Sequence, residues 1–93
     1  MVVYRRGTLR HPKFSDLVEA IRRSHPKVGD IIDGAVWEIQ HDPERLGIHI
    51  KEIDVWQARL VVSPPPDLLL MYAIGPRFVT MLTIIAADGS KLG

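Results

Sequence analysis

The chain has 93 residues, 46% of them hydrophobic and 25% charged, with a net charge of +1 and no cysteine. That length supports a single core burying roughly 60–65% of the unfolded surface, and no stretch reaches the ~18 consecutive apolar residues of a membrane span. The lack of cysteine excludes a disulfide scaffold, a thiolate zinc site and a cysteine nucleophile, and it fits a reducing cytoplasm. The first ten residues include Arg5, Arg6 and Arg10 with no apolar stretch behind them, so they do not read as a secretory leader.

Val2, Val3 and Tyr4 form a β-branched and aromatic run that ends in basic residues and Gly7, which predicts a brief N-terminal strand. From Pro12 the pattern changes. Phe14, Leu17, Val18 and Ile21 make the i, i+3, i+4, i+7 stripe of an amphipathic helix over 12–24, closed by Ser24-His25-Pro26. A second stripe, Val28, Ile31, Ile32, Ala35, Val36 and Ile39, predicts a helix over 28–41, because Pro43 disfavours the α region at Asp42. Gly34 inside that helix costs about 1 kcal/mol relative to alanine, which predicts close helix packing there.

After Gly47 the hydrophobic period falls to two. Ile48 and Ile50, then Trp56, Ala58, Leu60 and Val62, alternate with more polar neighbours, so 48–62 reads as half-buried strand. Pro64-Pro65-Pro66-Asp67 breaks it. The apolar runs within 67–74 and 78–87, bounded by Gly75-Pro76 and Asp88-Gly89, predict central strands. The resulting fold class is α+β in one domain over 1–93: an N-terminal strand, an antiparallel two-helix hairpin, and an antiparallel three-stranded meander that the hairpin covers on one face.

Charge is unevenly spread. Residues 1–27 sum to +5 and residues 28–54 to −5. Such a pair of segments reads either as a polyanion-binding face or as two elements attracting each other across a hairpin. No P-loop, GxGxxG, HExxH or GxSxG motif is present, which removes sequence support for nucleotide hydrolysis, dinucleotide chemistry and zinc proteolysis. His11, His25, His41 and His49 lie in four separate segments without ligand spacing, so neither metal nor cofactor is expected.

The element order, together with His41-Asp42-Pro43-Glu44-Arg45-Leu46-Gly47, Val55-Trp56-Gln57-Ala58-Arg59-Leu60 and Leu70-Met71-Tyr72-Ala73-Ile74, resembles the RelE/ParE superfamily of toxin–antitoxin toxins. In that family the second helix ends with a proline and a glycine a few residues apart. An aromatic-x-x-Arg strand and a strand closing in Tyr follow. The resemblance implies a RelE/ParE-like two-layer domain and a cytoplasmic toxin of a type II toxin–antitoxin system, held by a cognate antitoxin. In the RelE branch it implies ribosome-dependent mRNA cleavage that inhibits translation.

That cleavage drives an RNA 2′-hydroxyl at the neighbouring phosphate. It needs a base or cation at the nucleophile, cations for the phosphorane and a donor for the leaving oxygen. The resemblance puts Arg59 at a basic position of the aromatic-led strand, and Arg77 and Lys91 remain as the other catalytic candidates. Lys51, Trp56, Tyr72, Arg5 and Arg6 are candidates for RNA binding, the two rings by stacking on bases, although Trp56 and Tyr72 also suit a core or a sheet edge. Three positions depart from the family: Leu69 stands where relatives carry Arg, Ala86-Ala87-Asp88 where they carry a basic residue, and no Tyr follows before Gly93. These departures keep two further readings open. One is a catalytically silent or ParE-like protein that binds an antitoxin or gyrase, and the other is a phage or mobile-element interaction domain. On either toxin reading, an acidic or amphipathic antitoxin segment is expected on the basic surface and the sheet or helix-hairpin groove.

Overall fold

The computed structural model describes residues 7–92. Strand β1 (Gly7–Arg10) leads into α1 (Pro12–Ser24), α2 (Pro26–His41) and the single turn α3 (Pro43–Leu46). Strands β2 (Ile48–Ile50), β3 (Val55–Leu60), β4 (Leu68–Ile74) and β5 (Phe78–Ala86) complete the chain. The strand expected at Val2 to Tyr4 lies outside the described residues.

Both long helices begin at a proline, α1 at the expected residue and α2 two residues before the expected 28, because Pro26, read as a stop for the first helix, opens the second. Pro12 and Pro26 occupy first-turn positions, where a missing N–H costs nothing, and His11 Nδ1 accepts the Lys13 N–H at 3.1 Å to cap α1. Asp42, the residue before Pro43, ends α2. Their apolar stripes meet in one core, with Phe14 and Ile32 fully enclosed.

Two expectations about the hairpin resolve here. Asp33 binds Arg22 at 2.6 Å and Arg10 at 3.2 Å, and Asp30 binds Arg22 at 2.9 Å. Part of the charge asymmetry is therefore attraction between β1, α1 and α2. The carboxylates hold the Arg22 guanidinium above its ordinary pKa, chiefly through its hydrogen bond to Asp33. The close approach of the helices falls at Gly29 and not at Gly34. A Cβ on Gly29 would meet the Arg22 side chain at 3.0–3.2 Å, whereas one on Gly34 would meet nothing within 4 Å.

The sheet has the order β1-β5-β4-β3-β2. Strands β2 to β5 form an antiparallel meander of four strands, and β1 adds to β5 in parallel, so the sheet is mixed. The expected three-stranded meander is thus one strand short. The single strand expected over 48–62 is a hairpin, because residues 51–54 reverse the chain with Asp54 at φ 51°. The α1–α2 hairpin carries the chain from the β1 edge to the β2 edge, which a parallel β1 requires. Leu82 bulges between β4 and β5, since Met71 pairs with Thr83 and Tyr72 with Met81. The bulge switches phase, so that Val79 and Met81, then Ile84 and Ala86, all reach the helix-covered face.

Candidate functional site

Pro43, Gly47, Trp56 and Tyr72, four of the residues that carried the family resemblance, converge at one corner of the molecule. Tyr72 is fully buried in β4, and its hydroxyl donates to the Pro43 carbonyl at 2.6 Å. Gly47 lies against the same ring: a Cβ there would collide with the Tyr72 hydroxyl and stand 2.9 Å from Cζ. Proline, glycine and tyrosine form one lock that fastens α3 onto the sheet. Burial pushes the Tyr72 phenol up to about 12. A ring so enclosed cannot stack on an RNA base, which corrects the expectation for Tyr72; the reason is that its polar tip is spent on Pro43.

Trp56 lies across from Tyr72 on the same face of the sheet. It is half-buried against the core and stacks on His49 with ring centroids 4.7 Å apart. His49 Nε2 in turn lies 2.7 Å from Asp54 Oδ1. These contacts tie the β2–β3 hairpin together across its own turn, and they take up one face of the indole expected to bind RNA.

The expected cations are not gathered. Arg59 projects from β3 on the face opposite the helices, and its Nε and Nη2 both reach Asp67 Oδ2 at 2.9 Å. Asp67 also accepts the Ala87 N–H on its carbonyl at 2.8 Å, so Arg59 straps the proline loop to the sheet. Lys91 follows β5 at that same end. Arg77 and Lys51 are exposed in the β4–β5 and β2–β3 turns at the other end, beyond the nine residues of β5. At ~3.3 Å per residue that separation is about 25 Å. Arg5 and Arg6 lie outside the described residues.

At the Arg59 and Lys91 end, the α1–α2 turn, the proline loop and the C-terminal tail enclose a groove of about 210 Å³. Ile21, Val28, Val62 and Leu68 make its apolar floor, while His25 and Lys91 bring polar groups to its lining. Sequence reasoning did not find this groove, since its walls come from segments dozens of residues apart.

No protein-family model and no curated protein matches the chain. Among the described residues no group of three His, Asp or Glu side chains is placed to hold a metal ion, and no helix is long and apolar enough to cross a membrane.

Proposed function

We propose that this chain is a RelE/ParE-like toxin-fold protein that acts by binding protein, an antitoxin above all, rather than by cutting mRNA. The dispersal of its cations carries this reading. A phosphorane transition state draws on several preorganised donors, and losing even one costs about 10²–10³-fold in rate. Here Arg59 is committed to Asp67, Arg77 and Lys51 stand at the far end of the sheet, and Tyr72 is sealed in the core. The order of elements, with a helical hairpin crossing one face of the sheet before an antiparallel meander, agrees with the resemblance.

The groove between the helix turn and the proline loop supplies the binding chemistry. Its floor suits the apolar side of an amphipathic segment, and Lys91 in its lining suits the carboxylates of an acidic one. The test pairs two measurements. Co-expression with the product of an adjacent small reading frame should give a complex that Lys91→Glu weakens. Programmed ribosomes incubated with the wild-type protein should keep their mRNA intact. Robust cleavage that Arg59→Ala abolishes would instead establish the ribonuclease reading.

A further inference from the structure

The face of the sheet turned away from α1 and α2 is mostly apolar, with Gln57, Thr80 and Thr83 as its uncharged polar residues, and its described strands carry almost no charge. Leu9, Ile48, Phe78 and Ile85 are 49%, 73%, 44% and 44% exposed on it, with Met71 near its centre between β3 and β5. Among the described strand residues only Arg59 brings a charge to this face, and Asp67 already neutralises it. We propose that this face is the interface of a symmetric dimer, in which two copies of the chain pack sheet against sheet.

Size is the first argument. Five strands at ~4.8 Å spacing and about six residues each at ~3.3 Å cover roughly 20 by 20 Å. With side-chain relief, the accessible area is on the order of the ~800 Å² per partner that a standard interface buries.

Charge selects the occupant. A nucleic acid or an acidic segment would bury its anions here with no unpaired cation from the described strands to meet them. A second copy presents an equal apolar area, and the one charge on its described strands at this face, Arg59, brings its own partner in Asp67. Gln57, in register with Met71 and Ile48, is compatible with a two-fold axis, because an amide both donates and accepts and can pair with its own copy. Two twisted sheets in contact would align at about −30°, giving four layers with helices outside.

Light scattering on the purified chain across micromolar concentrations tests the proposal. The mass should be twice the 10.5 kDa of one chain. Ile85→Lys and Ile48→Lys, each placing a lysine in the interface, should weaken association by about 100-fold or more. Trp37→Ala, which removes an indole 62% exposed on α2, should leave the mass doubled, as should Lys91→Glu in the groove. Antitoxin binding and dimerisation therefore fail independently. If the lysine variants do not fold, methionine methyl spectra of the wild type decide the matter. On dilution the Met71 signal should shift while that of Met81, fully buried on the helix side, stays in place. A single-chain mass throughout, a dimer untouched by both lysines, loss of the dimer in Trp37→Ala, or association only with another protein would each overturn the proposal.

Discussion

The two faces of this sheet are built from nearly the same residues and have opposite fates. In β4, Leu68, Leu70 and Tyr72 turn to the helices and are closed off, while Leu69, Met71 and Ala73 turn to the side that no helix covers, where Leu69 and Ala73 are half-buried and Met71 is 8% exposed between its neighbours. Apolar character therefore does not distinguish the faces. What distinguishes them is the lock of Tyr72 on Pro43 and Gly47, which ties the helical layer to one side. Among its described strand residues this uncovered face carries one cation, already paired, and its apolar side chains have the character of a protein contact.

Disturbing the lock should produce the largest effect. Gly47 has φ −123° and ψ 172°, an extended conformation open to any residue, so its smallness is what matters. Gly47→Ala is expected to cost about 3 kcal/mol or more in chemical denaturation, because Cβ and the Tyr72 ring cannot share the space. Adding Tyr72→Phe should recover part of that loss.

Alkaline titration sharpens the same contrast. The Tyr72 phenol is raised by burial to about 12 in the folded state, above its ordinary value of 10. Its contribution is therefore fully present below pH 10 and is lost as pH rises from 10 through 12. The loss is on the order of 2–3 kcal/mol. Urea denaturation over that range should show the wild type losing this stability, while Tyr72→Phe, with no hydroxyl to ionise, does not.

Smaller effects lie away from the lock. Gly34→Ala is expected to raise stability by about 1 kcal/mol, since its added methyl meets nothing and the helix gains propensity. Thr8→Val should act in the same direction by about 1 kcal/mol, because the Thr8 hydroxyl is buried without a partner among the described residues. Arg59→Ala should change the melting free energy by less than about 1 kcal/mol, since its side chain is 63% exposed and its ion pair with Asp67 is screened. A large loss there would mean that the strap on the proline loop matters as much as the lock.

The sequence by itself determined the elements. The two helices follow from 3.6-residue stripes and the proline start of α1, and β4 and β5 from apolar runs between Pro and Gly breaks, because these signals are local and survive without partners. Some local signals still misled: the alternation of Ile48 and Ile50 runs into that of Trp56 and Ala58, which hid the reversal at 51–54. Only the tertiary structure decided the rest. The parallel docking of β1 on β5, the use of Gly29 rather than Gly34, the phase change at Leu82 and the joining of Pro43, Gly47 and Tyr72 all depend on residues far apart in the chain. The candidate site was legible in the same measure. Arg59, Arg77, Lys51 and Lys91 could be picked out as cations, but whether they face one phosphate or opposite ends of a sheet is set by strand order and register. Those follow from how the core closes, which no short stretch of sequence encodes.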